Sequence, residues 1–303
     1  MMASVTTNQL WRGVLVATAL PLRTDLSVDL DRYADHVRWL IESGCDGVVP
    51  NGSLGEYQTL TREERAAVVK TAVEAASGAV VMPGVAAYGA VEARGWAEQA
   101  AEAGAQAVML LPPTAYRADE ATVVAHYAEV AKVGLPVVAY NNPYDTKVDL
   151  TPPLLARLHG EGLIVAVKEF SGDVRRPYEL AELAPGLDLL IGADDVVLEL
   201  ALAGAKGWIT GYANALPHAC VELYRAAIGA DLTAAVPAYR ALHALLRWDS
   251  KTEFVQAIKL AMDAAGRYGG PCRPPRGPLS DAQDAAIRLA TAYATQAAET
   301  AAA

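Results

Sequence analysis

The chain has 303 residues, enough for one large barrel-type domain or for two domains of ordinary size. Hydrophobic residues make up 53% of it, so the chain can bury a sizeable core. Its formal net charge of -10 at pH 7 argues against nucleic acid or an anionic membrane as a partner, because like charges repel.

The start of the chain and its cysteines bear on the cellular compartment. Residues 1–9 are polar and lack the apolar core of a signal peptide, and no apolar run is long enough to span a bilayer. Cys45, Cys220 and Cys272 show no metal-binding spacing and form no even set, so we expect reduced thiols. Together these features predict a cytoplasmic protein.

Short apolar runs alternate with segments of helical periodicity along most of the chain. The apolar runs, each predicted to be a strand, cover residues 13–22, 47–52, 80–85, 107–113, 136–143, 164–171, 187–194 and 207–214. The segments predicted to be helices cover residues 29–43, 62–76, 91–103, 120–132, 152–159 and 196–203. Thr61 and Glu64 match a capping box, which predicts a helix N-terminus at this point.

This alternation predicts the fold class and the domain organisation. Eight strand–helix units favour an α/β fold of the TIM (β/α)8 barrel type over an open doubly wound sheet, and no G-x-G-x-x-G sequence opens the first βα turn. After Asn214 only helical periodicity continues, with breaks near Gly229 and at Gly269-Gly270-Pro271. We therefore predict a barrel catalytic domain over residues 1–224 and a C-terminal helical extension over residues 225–303.

Lys168 ends the sixth predicted strand, directly after the apolar residues 163–167. An ammonium group resists desolvation, so a lysine in a dry site has a lowered pKa and can attack a carbonyl as the free amine. Catalytic groups of a TIM barrel come from the C-terminal ends of its strands. A surface lysine that caps a strand end is the alternative.

Tyr140 ends the fifth predicted strand, which neighbours the sixth at about 4.8 Å in a sheet. A phenol beside an amine can move protons during Schiff-base formation. The alternative is a tyrosine at the barrel rim that binds only backbone.

The second predicted strand ends in Asn51-Gly52-Ser53-Leu54-Gly55-Glu56. Its glycines allow unusual backbone angles, so that amides can point at an anion, and Ser53 adds a hydroxyl donor. This composition suits a substrate carboxylate; an ordinary glycine turn is the alternative.

Two acids, Asp194 and Asp195, end the seventh predicted strand, and five histidines are scattered along the chain. The acids could serve as acid–base groups or metal ligands, but we favour a cap for the next helix. Because a metal-dependent aldolase would need clustered histidines at the strand ends, we expect no metal.

Taken together, the motifs 51–56, 140–143 and 167–173 resemble those of the dihydrodipicolinate synthase and N-acetylneuraminate lyase family, and the resemblance covers nearly the whole chain. It implies a barrel with a C-terminal helical extension, assembled as a homotetramer built of two dimers. It also implies a class I mechanism with neither a metal nor an organic cofactor.

The resemblance also implies roles for individual residues. Lys168 matches the Schiff-base lysine, and Tyr140 matches the tyrosine that relays protons. The carbonyl of Ile209 matches a backbone group near the lysine.

The stretch Gly52, Ser53 and Leu54 matches the loop that binds the carboxylate of a 2-oxo acid, although the synthases of the family have two threonines where this chain has Ser53-Leu54. Asp145 falls where the synthases place an arginine for a second carboxylate, so we expect Asp145 to shape the distal pocket.

A further departure follows the fourth predicted strand, where the synthases use a tyrosine that reaches across a subunit interface. The matching stretch here contains Thr114-Ala115, so the hydroxyl relay is incomplete unless Tyr116, one residue further on, replaces it.

The predicted function is that of a lyase acting on a 2-oxo acid, or its cyclic imine, through a lysine Schiff base. Retro-aldol cleavage, dehydration and deamination would all follow from that intermediate. The run 268–276 is similar to one in relatives from hydroxyproline breakdown, and sugar acids are also open as substrates.

Three alternatives remain at this point. One is 4-hydroxy-tetrahydrodipicolinate synthase, which joins pyruvate and aspartate semialdehyde. The second is a non-catalytic sensor of 2-oxo acids. The third is a phosphate-handling barrel enzyme, which Asp194 and Asp195 disfavour because an anion would be repelled there.

Overall fold

The computed structural model describes residues 10–114 and 117–302, with eight parallel strands at the centre. The strands are β1 (Gly13–Ala17), β2 (Gly47–Val49), β3 (Val80–Val81), β4 (Val108–Leu110), β5 (Val137–Asn141), β6 (Ala166–Glu169), β7 (Asp188–Ile191) and β8 (Gly207–Thr210). They pair in the order β3-β2-β1-β8-β7-β6-β5-β4, and a parallel bridge between Gly84 and Met109 joins the two ends of this order. The predicted TIM (β/α)8 barrel is therefore confirmed.

Helices surround the barrel and follow it. They are α1 (Leu30–Glu42), α2 (Arg62–Ala75), α3 (Ala90–Ala103), α4 (Glu120–Ala131), α5 (Pro143–Thr146), α6 (Pro152–Gly160), α7 (Arg176–Leu183), α8 (Val197–Leu202), α9 (Pro217–Ile228), α10 (Leu232–Leu246), α11 (Phe254–Ala264) and α12 (Asp281–Ala302). The predicted helical segments correspond to α1 to α4, α6 and α8. The predicted capping box is present, since Thr61 Oγ1 accepts from Glu64 N at 3.2 Å and Glu64 Oε2 accepts from Thr61 N at 2.9 Å.

Two helices were not among the predicted segments, because they are short and mostly polar. Helix α5 has four residues, and Asn142 caps it by accepting a hydrogen bond from Asp145 N. Helix α7 has eight residues, of which only Pro177 and Leu180 are buried, so it lacks a long apolar stripe.

The predicted strand runs extend beyond the observed strands at their C-terminal ends. β8 ends at Thr210, and Tyr212–Asn214 form a 3-10 turn that is wholly buried. Asn214 Nδ2 donates to the carbonyl oxygens of Ala17 and Gly211, both at 2.7 Å. The apolar character of this run thus reflects burial of a turn, and the sheet does not continue there.

A buried ion pair fastens the C-terminal part of the chain to the loop after β2. Lys259 on α11 donates through Nζ to Glu56 Oε1 at 2.7 Å, and both side chains are almost wholly buried. The other oxygen of Glu56 accepts from Arg273 N at 2.9 Å. This pair holds the extension over the mouth of the barrel, next to the predicted carboxylate loop.

Helices α9 to α12 pack on one another, and α9, α10 and α11 also pack on the barrel. The predicted division after residue 224 falls within α9, and the assignment of two domains stays a prediction. Within the described residues, no helix combines the length and hydropathy needed to cross a membrane.

Candidate active site

Lys168 lies at the C-terminal end of β6, inside a cavity at the mouth of the barrel, and only 6% of it is exposed. Ala166, two residues earlier on the same face, is small and fully buried. Gly192 at the end of β7 provides further room, because a Cβ there would lie 3.0 Å from Lys168 Cγ. The lysine is therefore buried in the barrel rather than exposed at its surface.

The electrostatic environment favours the neutral amine of Lys168. Burial lowers its pKa below that of a free lysine, while the charges of Asp249 and Asp194 oppose that shift. Burial also raises the pKa of both acids. These shifts share one cause, since a charged form is poorly solvated inside the barrel.

Tyr140 lies beside Lys168, as predicted from the neighbouring strands. The two residues are register partners of β5 and β6, and Lys168 Nζ is 4.3 Å from the centre of the Tyr140 ring. Asn142 Nδ2 donates to the Tyr140 hydroxyl at 3.4 Å, and Phe170 packs edge-on against the ring. Burial raises the pKa of Tyr140, so the phenol is protonated at neutral pH and can act as a donor.

The loop after β2 supplies backbone donors to the same cavity. Gly52, Ser53 and Leu54 all line it, and no backbone N–H of these three residues donates to an acceptor in the described parts of the chain. Asn51 holds the loop in place with a left-handed φ of 55° and a hydrogen bond from its Nδ2 to Arg65 O at 3.0 Å. These N–H groups can therefore receive an anion such as a carboxylate.

Neither Asp194 nor Asp195 caps the next helix, so that prediction was wrong. Asp194 instead stabilises the backbone around the site. Its carboxylate accepts from Trp208 Nε1 at 2.8 Å, from Thr210 Oγ1 at 3.1 Å, and from the backbone N of Gly211 and of Tyr212 at 3.0 Å each. A buried carboxylate with these donors ties the end of β7 to the turn after β8.

Asp195, by contrast, lies at the rim of the cavity, where its Oδ1 accepts from Ser250 Oγ at 3.0 Å. In residues 10–114 and 117–302, no three His, Cys, Asp or Glu side chains are grouped as metal ligands would be.

Asp249 is a site residue that the sequence analysis missed. It lies in the turn between α10 and α11, lines the cavity that contains Lys168, and is 8% exposed. Its Oδ2 accepts from Asp194 N at 3.3 Å. Nothing in the local sequence marks this residue, because its proximity to Lys168 arises only when the C-terminal extension folds back over the barrel.

The remaining predicted positions lie along the same cavity, which has a volume of about 2070 Å³. Ile209 on β8, Asp145 on α5 and Thr114 after β4 contribute to its lining. Asp145 accepts from Asn142 Nδ2 at 2.8 Å. Tyr116 lies outside the described residues. The cavity exceeds the usual size of a small-molecule site, about 300–1,000 Å³, and so leaves space beyond the lysine for a second reactant or a longer substrate.

A TIM barrel with a buried lysine at a strand end, a tyrosine on the neighbouring strand and free amides opposite is the arrangement of a class I aldolase or lyase. The model of the dihydrodipicolinate synthetase family matches residues 10–292, and the chain belongs to this family of class I enzymes.

Relatives of known name support this assignment. The chain is 34% identical over 282 residues to the 4-hydroxy-tetrahydrodipicolinate synthase of Methanothrix thermoacetophila, covering 92% of this chain and 95% of the relative. It is 35% identical over 280 residues to the enzyme of the same name from Anaeromyxobacter dehalogenans strain 2CP-1, covering 91% and 95% of the two chains.

Solved structures show the same fold. A putative dihydrodipicolinate synthetase from Pseudomonas aeruginosa matches with a TM-score of 0.89 at 28% identity, covering 93% of this chain and 99% of that one. YagE, a prophage protein of the dihydrodipicolinic acid synthase family from E. coli K12 in complex with pyruvate, matches with a TM-score of 0.88 at 27% identity, covering 94% and 99%.

Proposed function

We propose that this chain is a lyase whose Lys168 forms an imine with C2 of a 2-oxo acid. The observation that carries the proposal is the position of Lys168, buried at the end of β6 inside the cavity and next to Tyr140. A neutral amine at this place can attack a carbonyl carbon. The complex of the relative YagE with pyruvate supports a 2-oxo acid as its partner.

In this proposal the residues that line the cavity have separate roles. The free N–H groups of Gly52, Ser53 and Leu54 hold the C1 carboxylate, which places C2 before the amine. The iminium group draws electrons from C3, so that a proton at C3 becomes acidic or the C3–C4 bond becomes breakable. Tyr140 donates or accepts protons at this stage.

The distal end of the cavity bears on the second half of the reaction. The relatives' name favours 4-hydroxy-tetrahydrodipicolinate synthase as a second candidate function. Asp145, however, lines the cavity. The resemblance aligns it with the arginine that the synthases use for a second substrate carboxylate, and an aspartate would repel that carboxylate because like charges repel. Because Leu54 adds no hydroxyl, we favour cleavage, dehydration or deamination of a single longer 2-oxo acid or its cyclic imine.

The run 268–276, which suggested a hydroxyproline-pathway substrate, also has a structural explanation. Tyr268 donates through its hydroxyl to Leu22 O at 2.7 Å. A Cβ at Gly269 would lie 2.0 Å from Lys259 O, so only glycine fits. Because packing accounts for these residues, the run by itself does not favour a hydroxyproline-pathway substrate over a sugar acid. Both classes of substrate therefore belong in the test panel.

The assembly and location implied by the resemblance belong to the same proposal. Exposed apolar side chains such as Tyr88, Val91, Leu289 and Tyr293 support a homo-oligomer, which we propose to be a cytoplasmic tetramer. Light scattering after gel filtration tests the tetramer, since a monomer or dimer at micromolar concentration would contradict it.

Trapping with borohydride tests the imine itself. The protein is incubated with pyruvate, reduced and digested, and the adduct is mapped by mass spectrometry. We expect the adduct on Lys168 and none on Lys251, an exposed lysine that lines the same cavity and serves as an internal control. A lack of adduct on Lys168 with pyruvate and with several other 2-oxo acids would refute the proposal.

A substrate panel then separates the candidate functions. It compares turnover of 4-hydroxy-2-oxoglutarate, a hydroxy-pyrroline carboxylate and deoxy sugar acids with condensation of pyruvate and aspartate semialdehyde. Efficient condensation would establish the synthase. An adduct without turnover of any substrate would favour the sensor.

A further inference from the structure

The hydroxyl of Tyr140 has one hydrogen-bond partner among the described residues, the side-chain amide of Asn142. Asn142 Nδ2 donates to Tyr140 Oη at 3.4 Å, and the two residues are only 3% and 5% exposed. Because the phenol oxygen accepts in this bond, its own hydrogen is not used there and can point into the cavity. The position of the Asn142 amide therefore bears on the direction of the Tyr140 O–H group.

Asp145 holds that amide in place by two hydrogen bonds. Asn142 Nδ2 donates to Asp145 Oδ2 at 2.8 Å, and Asn142 Oδ1 accepts from Asp145 N at 3.2 Å. Turning the amide over would place Oδ1 against the carboxylate, where two acceptors would repel each other. The amide nitrogen thus faces both the carboxylate and the phenol, with one hydrogen for each.

The backbone around the amide is also held by hydrogen bonds. Asn142 O accepts from Thr146 N at 3.1 Å and from Thr146 Oγ1 at 2.8 Å. The Tyr144 hydroxyl donates to Ser171 O at 2.8 Å, which joins α5 to the loop after β6. These contacts fix α5 and its cap relative to the ends of β5 and β6.

The identity of residue 145 matters for this contact. An arginine there could not accept from Asn142 Nδ2, because a guanidinium group has donors only. The aspartate that stands where the synthases have an arginine therefore has a partner within its own loop, the amide of Asn142.

We propose that Asn142 and Asp145 are positioning residues that aim the Tyr140 hydroxyl at the substrate bound to Lys168. Asp145 holds the amide, the amide donates to the phenol oxygen, and the phenol lies beside the amine, with Lys168 Nζ 4.3 Å from the ring centre. The bond of 3.4 Å is long, and catalytic hydrogen bonds often tighten only when substrate binds. This role rests on the proposed function, because it presupposes the imine.

The amide matters most when Tyr140 carries a charge. Once the phenol has given its proton to the oxygen that leaves C2 as water, the phenolate can accept a proton from C3 of the iminium. The C3–H bond breaks, its electrons form the C2=C3 bond of an enamine, and the C=N electrons return to nitrogen. A donor to a charged oxygen is a strong hydrogen bond, so loss of Asn142 Nδ2 should slow this step about 10- to 100-fold.

Exchange of the C3 protons of pyruvate in D2O tests the role without the natural substrate. The full chain is incubated with pyruvate, and the loss of the methyl signal is followed by proton NMR. Asn142→Ser keeps a side-chain oxygen that can cap α5 but has no amide donor, so exchange should be about 10- to 100-fold slower. The borohydride adduct on Lys168 should still form, because the amine is unchanged.

A double-mutant cycle separates positioning from structural support. Tyr140→Phe lacks the hydroxyl and should exchange slowly, and Asn142→Ser should then slow exchange no further, since it acts through that hydroxyl. Equal slowing by Asn142→Ser in both backgrounds, or a rate in Asn142→Ser within about threefold of wild type, would overturn the role. Unchanged exchange in Tyr140→Phe would overturn it together with the part proposed for Tyr140.

Variants at position 145 keep the test decisive if Asn142→Ser folds poorly. Asp145→Leu removes the acceptor for Asn142 Nδ2 and should slow exchange about 10-fold, whereas Asp145→Asn keeps an acceptor oxygen and should recover most of the rate. Asp149→Leu, at an exposed acid that binds Arg176, is the matched control and should keep the wild-type rate. An equal loss in Asp145→Asn and Asp145→Leu would contradict a role for the hydrogen bond.

The borohydride adduct distinguishes failure of this role from failure of the proposed function. If the wild-type protein forms no adduct on Lys168 with pyruvate or other 2-oxo acids, both are overturned. A normal wild-type adduct, combined with wild-type exchange in Asn142→Ser and Asp145→Leu, refutes the positioning role alone.

Discussion

The buried ion pair of Glu56 and Lys259 gives the sharpest prediction about how the extension supports the site. In Lys259→Met the carboxylate of Glu56 stays wholly buried, with Arg273 N at 2.9 Å and Arg276 Nη1 at 3.8 Å as its remaining partners. Removing one member of a buried pair costs about 3–5 kcal/mol of unfolding free energy. Because the remaining partners still stabilise the Glu56 carboxylate, we expect a loss of about 3 kcal/mol. Urea unfolding followed by circular dichroism measures this loss.

The same substitution should also affect substrate binding. Glu56 N donates to Ser53 O at 3.1 Å. A displacement of Glu56 would therefore also displace the loop proposed to hold the substrate carboxylate. We expect the KM for the 2-oxo acid to rise more than kcat falls, because the loop contributes to binding in ground state and transition state alike.

A double-mutant cycle completes this test. Glu56→Gln with Lys259→Met removes both charges and should be more stable than Lys259→Met alone, since no unpaired charge is buried. Lys251→Met, at an exposed lysine, should change stability by less than about 0.5 kcal/mol. If Lys259→Met loses less than about 1 kcal/mol, or if the double variant loses the sum of the single losses, the ion pair does not have the role assigned to it.

The remaining predictions concern the lysine, its neighbour and a buried histidine. Lys168→Ala should keep its melting temperature within a few degrees while turnover and adduct vanish, and near-wild-type turnover would contradict its role. Gly192→Ala should lose about 1–3 kcal/mol and most activity, because the new Cβ would lie 2.6 Å from Glu169 O and 3.0 Å from Lys168 Cγ; a fully active, stable variant would show that the backbone can shift there. Burial lowers the pKa of His36 from 6.5 to about 4, so the unfolded chain binds more protons between these values, and the free energy of unfolding should fall by about 3 kcal/mol as pH drops from 6.5 to 4. His36→Gln should flatten that slope, and an unchanged slope in denaturant titrations would assign the acid sensitivity to other groups.

Local sequence patterns were sufficient to predict the barrel. Apolar runs and helical periodicity are properties of neighbouring residues, and each βα unit repeats them, so strand number and the position of Lys168 at the end of β6 follow from the chain directly. The capping box at Thr61 was predictable for the same reason. The short helices α5 and α7 were not predicted, because too few of their residues are buried to give a periodic pattern of apolar residues.

The resemblance of the motifs to a known family predicted which residues would share a cavity. Gly52, Tyr140, Lys168 and Ile209 lie on different strands or loops, and the structure brings them together at one mouth of the barrel. Their chemical roles remain predictions that the trapping experiments address.

The sequence alone determined the barrel, the family and the lysine at the end of β6, because these depend on periodicity and on contiguous motifs. Only the tertiary structure decided what surrounds that lysine. Asp249 lines the cavity of Lys168 from the turn after α10, and Glu56 pairs with Lys259 across more than two hundred positions of sequence. Such contacts carry no local signal, since they arise from packing of the extension against the barrel and from the need of buried charges to find partners.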